Sequence, residues 1–281
     1  TFRYRDNRTQ EVRRVTLTPR ARGLISFAGV RLDRVDPLGL VRAPRRVPLE
    51  AKLVVLPKRY RLPLLAFPGK RKFQPGGVSL SASIGESEEF ISLRDYRPGD
   101  PLQRVHWKSF ARAGKPIVKE TQDEFYERHA LVLDTSTAGG EGAAFEEAVS
   151  IAASFVYAVD TSESLLDLLF VGAAVHGYTT GRGQLHPAQM LEILAGVRAS
   201  APRAFSQLAG AALGRRSELS SVIVVLLAWD EARRAFVHSL AGSGIEMRVL
   251  LVCEERDTPA GAAGVCILHP GRIEAGLAGL R

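Results

Sequence analysis

Two carboxylates are spaced so that a parallel sheet would set them in one crevice. Asp134 ends the apolar run Ala130-Leu131-Val132-Leu133, and Asp230 follows the run Ser221–Ala228. In open α/β sheets, sites form outside the carboxyl ends of the strands, where the strand order reverses. With strand order 3-2-1-4-5-6, the run ending at Asp134 neighbours the run that precedes Asp230. A second chemically dense stretch runs from Leu93 to Arg112. Arg94, Arg97, Arg104 and Arg112 are planar forks suited to bidentate pairing with Asp95, Asp100 or Asp123. Trp107 is a large apolar plug. Together with Tyr96, Pro98 and Gly99, these residues read as a clamp between the two halves of the chain. Arg97, Asp100, Trp107 and Arg112 are then expected to be at least half buried.

The elements that must position these residues follow from periodicity. Residues 129–281 alternate buried-type strands at 129–134, 165–171, 173–178, 221–228, 246–253 and 265–268 with helical faces at 142–160, 187–198, 202–213 and 230–241. Such alternation implies an α/β fold, a doubly wound and mostly parallel sheet with helices on both faces. Residues 1–75 carry short apolar runs bounded by Pro, Gly and Asp, such as Gly23-Leu24-Ile25-Ser26-Phe27 and Ala51-Lys52-Leu53-Val54-Val55-Leu56. They predict a small antiparallel β domain, a sandwich or barrel, with Arg13, Arg14 and Arg31 pointing outward. Asp36-Pro37-Leu38-Gly39 is a turn, and residues 66–90 have loop composition. Residues 76–128 connect the two. There Arg97-Pro98-Gly99-Asp100 fits a type II turn with Gly99 at positive φ. Asp100 then caps a short helix from Pro101 to about Lys108, with Gln103 as its capping-box partner, and a strand follows at Pro116–Glu120.

Length and charge narrow the function classes. The 281 residues suit two domains, and a composition of 46% hydrophobic and 24% charged residues is that of a globular chain. No apolar run reaches about 18 residues, the length of a membrane span. The chain begins at Thr1 with no leader, so it is expected to be part of a longer protein. Residues 1–128 hold 27 Lys and Arg against 14 Asp and Glu, while 129–281 hold 11 against 16. A basic first half suits nucleic acid, an anionic membrane surface or an acidic protein. Cys253 and Cys266 lie in apolar runs and match no CxxC pattern, which predicts two buried thiols in a reducing compartment. No phosphate-binding loop, dinucleotide loop, nucleophile elbow or His-x3-His pair occurs. A non-enzymatic role is therefore expected.

Asp134-Thr135-Ser136-Thr137-Ala138 resembles the start of the metal-ion-dependent adhesion site of von Willebrand factor type A domains. The resemblance implies that Asp134, Ser136 and Asp230 ligate Mg²⁺ or Mn²⁺, both of which take oxygen ligands in octahedral geometry. Ala138 replaces the second Ser of that pattern, and Thr179 and Thr180 lie in the wrong place for its loop Thr. The site is thus degenerate, with no cofactor or a weakly bound ion. The alternative role for Asp134 and Ser136 is to cap the following helix or to hold the loop. The stretch Leu-Arg-x-Tyr-x-Pro-Gly-Asp, followed by Arg-Val-His-Trp-Lys and Ala-Arg, resembles the family called domain of unknown function 58. So do Arg22-Gly23, Asp36-Pro37-Leu38-Gly39-Leu40 and Val55-Leu56-Pro57 upstream. That resemblance implies a von Willebrand factor type A-like domain behind a β insert, and transmembrane helices before Thr1. It also implies a MoxR-type AAA+ ATPase as partner. The expected function is a protein-interaction module, membrane-tethered and facing the cytoplasm. Its rival is a nucleic-acid-binding protein using the basic half. Against the rival, the aromatic residues of 1–75 are scattered and form no stacking stripe.

Overall fold

The computed structural model describes residues 2–6, 9–13, 16–35, 37–40, 42–63, 90–98, 100, 102, 105–121, 127–159, 164–181, 184–259, 262 and 264–279. Upstream lie β1 (Phe2–Asp6), β2 (Thr9–Arg13), β3 (Gly23–Val35), β4 (Arg42–Val55), β5 (Phe90–Asp95), α1 (Trp107–Ala113) and β6 (Ile117–Thr121). The α/β region follows as β7 (Glu127–Leu133), α2 (Ala143–Ala158), β8 (Ser164–Val171), β9 (Val175–Thr180), α3 (Pro187–Gly196) and α4 (Phe205–Gly214). It continues as β10 (Ser221–Leu226), α5 (Glu231–Gly242), β11 (Glu246–Val252), β12 (Val265–Leu268) and α6 (Ile273–Ala278).

The six downstream strands form one sheet in the order β12-β11-β10-β7-β8-β9. All neighbours are parallel except β8 and β9, which pair antiparallel across the short turn at Gly172. This is the expected 3-2-1-4-5-6 order, and it reverses between β7 and β10. Successive side chains of a strand point to opposite faces, and each face has its own core. Leu131, Leu133, Ile223, Val225, Leu250 and Val252 pack with α2, α3 and α6. Ala130, Val132, Val222, Val224, Val249 and Leu251 pack with α4 and α5. Every residue of β10 is buried, as expected for a strand covered on both faces. Helix α6, which lacks a strong periodic pattern in the sequence, contributes Ile273 and Leu277 to the first core.

The upstream half carries small antiparallel sheets. Among the described residues, β1–β2 and β3–β4 are two separate antiparallel hairpins. Thr16 and Leu17, of the run expected at 15–17, lie in no strand; the runs at 23–27 and 30–32 share one strand of 13 residues, and the run at 51–56 ends its partner strand of 14. The two strands bend at a bulge by Gly29, where an added Cβ would stand 2.8 Å from the Val47 carbonyl. Of the predicted turn, Pro37 and Leu38 lie in a turn and Gly39 has φ 71°, while Asp36 is outside the described residues. Alternation also holds: Ile25, Phe27, Val30 and Leu32 are half-buried and Arg31 is exposed. Pro44 and Pro48 lack the N–H that a further strand would use, which marks β4 as an edge. The side chains of Arg13 and Arg14, residues 66–89 and the boundary at 75/76 lie outside the described residues.

One buried histidine makes the sheet acid-sensitive. His129 is buried on β7 with Nδ1 2.8 Å from Ser221 Oγ, and Glu127 Oε2 lies 3.7 Å from its Nε2. Burial lowers its pKa from 6.5 to about 4. Between those values the unfolded chain binds the proton and the folded chain does not. Stability is therefore full above the unfolded value and falls as the pH drops toward about 4, by about 3 kcal/mol in all. Urea melts at pH 7 and pH 4.5 measure this loss. His129→Gln should flatten it, and an equal slope in the variant would exclude His129 as its source.

Candidate functional site

Asp134 and Asp230 meet over the switch point between β7 and β10. Asp134 is fully buried at the end of β7 and its N–H donates to the Val225 carbonyl (2.8 Å). Its Oδ1 accepts from the Ser136 N–H (2.9 Å), and its Oδ2 from the Leu227 N–H (3.2 Å) and from Arg233 Nε (2.7 Å). Asp230 caps α5: its Oδ1 accepts from the Arg233 N–H (3.0 Å) and its Oδ2 from Arg233 Nη1 (2.5 Å). Arg233 Nη2 donates to the Ser136 carbonyl (3.0 Å). The guanidinium lies 4.6 Å from the Phe205 ring centroid, and its side chain is 5% exposed. Burial opposes its charge, but Asp134 and Asp230 outweigh that effect and hold its pKa above the ordinary value.

The loop after α3 closes the other side. Ser200 donates its N–H to the Thr135 carbonyl (2.8 Å) and accepts from the Thr137 N–H (3.2 Å). Its Oγ lies 3.0 Å from Thr135 Oγ1 and 3.4 Å from Ser136 Oγ. Asp134, Ser136 and Asp230 are thus brought together as the spacing predicts, and Ser200 supplies a further hydroxyl that sequence inspection missed. A divalent ion does not fit among them, because the Arg233 guanidinium already stands between them, on Oδ2 of Asp134 and Oδ2 of Asp230. Among the described residues, no group of three or more His, Cys, Asp or Glu is placed to hold a metal. Asp134 does not cap α2, whose N-cap is Gly142; it holds its own loop.

The Arg94–Asp100 pairing is present, while the clamp between halves lies elsewhere. Arg94 forks onto Asp100 through Nη1 (2.7 Å) and Nη2 (2.8 Å). Asp100 closes its own turn, since its N–H donates to the Arg97 carbonyl (3.0 Å) and its Oδ2 accepts from the Arg97 N–H (2.8 Å). The Arg94 hydrogen bonds, then that of the Arg97 backbone, hold its pKa down at about 2. Tyr96 donates its N–H to Pro116 (3.0 Å), tying the turn to β6. Asp100 therefore is not the N-cap of α1; His106 stands there, and the helix begins at Trp107. Arg97, Pro98 and Arg112 are exposed, and Trp107 is 62% exposed with Phe110 edge-on to it. The expected burial of Trp107 fails because α1 buries none of its own residues; the side chains covered beside it are Val105 and Val118. Gly99, Pro101, Gln103, Arg104 and Asp123 lie outside the described residues.

The β3–β4 hairpin instead docks through its base. Arg22 donates to the Val197 carbonyl (2.7 Å), pairs with Glu146 and lies over the Phe145 ring. Tyr60 is buried against α2: its N–H donates to Ser154 Oγ (2.8 Å), its hydroxyl donates to Glu147, and Lys58 lies over its ring. Burial, then Glu147, raises the pKa of the Tyr60 hydroxyl. Cys253 is buried as expected, while Cys266 is half-buried on the short edge strand β12.

Two comparisons bear on this architecture. Over 236 residues the chain is 27% identical to "Uncharacterized protein YeaD" of Bacillus subtilis (strain 168). The alignment takes in 83% of this chain and 57% of that protein, so the chain spans little more than half of its relative. The model of the family described as "Protein of unknown function DUF58" matches residues 92–268, from β5 through the Asp134 and Asp230 loops to the end of β12. That match covers well over half of the chain, which therefore belongs to the DUF58 family.

Proposed function

We propose that this chain is a non-enzymatic protein-interaction module with a von Willebrand factor type A-like domain. Its partner is a MoxR-type AAA+ ATPase, and it is tethered to a membrane with its body in the cytoplasm. The observation that carries this reading is the crevice over the switch point. Its interior polar groups are satisfied by one another, while its rim is open. Ala138, Gly139, Gly140 and Glu141 are exposed, Arg198 pairs with Glu141 (2.9 Å), and the Asp230 side chain is 51% exposed. A rigid floor under an exposed rim suits docking of a folded partner. The sheet order, its antiparallel third strand and the Asp-x-Ser loop support the type A-like reading. The tether is supported by the basic hairpin. Arg31, Arg42, Arg45 and Arg46 are exposed, and Leu38 and Leu40 at its tip are 79% and 80% exposed. Such a surface suits an anionic leaflet.

Biolayer interferometry with the MoxR-type ATPase of the same organism tests the interaction. Ala138→Arg and Glu141→Arg should each weaken binding at least about tenfold, roughly 1.4 kcal/mol. Equal affinity in both variants would sink the crevice as the docking site. Failure to bind the ATPase, with steeply salt-dependent DNA binding, would favour the nucleic-acid reading instead. In the same series, flotation should rise with anionic lipid, and indifference to it would remove the lipid-facing hairpin.

A further inference from the structure

We propose that Arg233 is a built-in cation: its guanidinium stands where a divalent ion would bridge Asp134 and Asp230, so the crevice is assembled without metal, and removing that side chain uncovers a divalent site. The inference concerns this chain alone and holds whether or not an ATPase docks. Three nitrogens of one side chain reach three different groups. Nε reaches Asp134 at the end of β7, Nη1 reaches Asp230 ahead of α5, and Nη2 reaches the Ser136 carbonyl in the loop between β7 and α2. A bridging ion would cross-link the same two loops. The sequence fixes the placement, since Arg233 lies three residues after Asp230, and residues at that spacing share one helix face. That face is the buried one, which continues through Phe236 and Leu240. Phe205 of α4 covers the guanidinium and excludes water from one side. Buried charges persist when paired and hydrogen-bonded, and here each carboxylate also accepts a backbone N–H.

Taking the guanidinium away would leave its three acceptors, the Asp134 and Asp230 carboxylates and the Ser136 carbonyl, facing one gap. Two carboxylates, a backbone carbonyl and water make a hard-oxygen set suited to Mn²⁺ or Mg²⁺.

The test uses the whole chain with Mn²⁺ as probe, read by calorimetry, by the Mn²⁺ paramagnetic resonance signal and by melting in EDTA or Mn²⁺. The wild type should melt at the same temperature in both and bind no Mn²⁺ at millimolar concentration. Arg233→Ser should melt lower in EDTA, recover on adding Mn²⁺, and bind the ion at least tenfold more tightly than the wild type. Asp134→Asn in the same chain should abolish that gain. Arg233→Lys, which retains a cation, should gain no Mn²⁺ binding. Should Arg233→Ser fail to fold in EDTA, Mn²⁺ is expected to restore folding, and failure to restore it would overturn the proposal. Saturable Mn²⁺ binding by the wild type that Asp134→Asn removes would overturn it too. So would a folded Arg233→Ser chain that binds Mn²⁺ no better than the wild type.

Discussion

Asp167→Ala is expected to cost about 3–5 kcal/mol of stability, the range for removing one partner of a buried ion pair. Asp167 is fully buried in the middle of β8. It accepts from Arg128 Nε (2.9 Å) and Nη2 (3.3 Å) on β7 and from Thr179 Oγ1 (2.7 Å) on β9. Arg215 Nη1 approaches to 3.6 Å. The carboxylate thus joins three adjacent strands, two parallel and one antiparallel. Without it, Arg128 is left buried near a second arginine, with Glu218 as its remaining carboxylate (2.8 Å). The double variant Asp167→Leu with Arg128→Met should regain most of the loss, because it removes both charges rather than one. Urea unfolding of the set decides the matter. An Asp167→Ala chain within 1 kcal/mol of the wild type, on the scale of an exposed pair, would show that solvent reaches the pair.

Tyr60→Ala should cost a comparable ~3–5 kcal/mol, the usual range for emptying a large aromatic from a core. The loss should appear first as undocking of the segment around residues 57–63 from α2. Limited proteolysis should then cut there before the α/β core opens. Tyr60→Phe keeps the ring and loses only the hydroxyl bond to Glu147, so about 1.5–3 kcal/mol is expected, the value for a hydrogen bond to a charged group. Trp107→Ala is the comparator. Its exposed indole should contribute within about 0.5 kcal/mol. Equal losses at Trp107 and Tyr60 would reinstate the tryptophan motif as the tie between halves.

The α/β region was legible because its central strands are apolar runs and its longer helices repeat an apolar face. Those patterns record burial on both sides of a sheet, and burial is what periodicity reports. The strand order followed from the same alternation, and with it the meeting of Asp134 and Asp230. Arg233 was not legible as their companion. An arginine at a surface-biased position ordinarily reads as solvated, and its placement on the buried face with Phe236 and Leu240 was the signal that went unused. Ser200 was hidden for a different reason. It lies in a loop after α3, and no local pattern says that this loop runs alongside residues 135–137. The docking of the hairpin was missed because Arg22 and Tyr60 are single residues in irregular segments. The Leu93–Arg112 stretch drew attention by density of charge and aromatic rings, yet density says nothing of a covering layer. Its Arg94–Asp100 fork is a local turn device.

The guanidinium between Asp134 and Asp230 is attached to the chain that uses it. A soluble ion is lost on dilution, competes with chelators and nucleotides, and varies with the state of the cell. A covalently held one has an effective concentration fixed by its own helix, insensitive to how much protein or salt surrounds it. The two loops over the switch point are therefore held at one-to-one stoichiometry from the moment α5 packs. If the guanidinium takes the ion's place as proposed, cellular magnesium has no purchase on that junction.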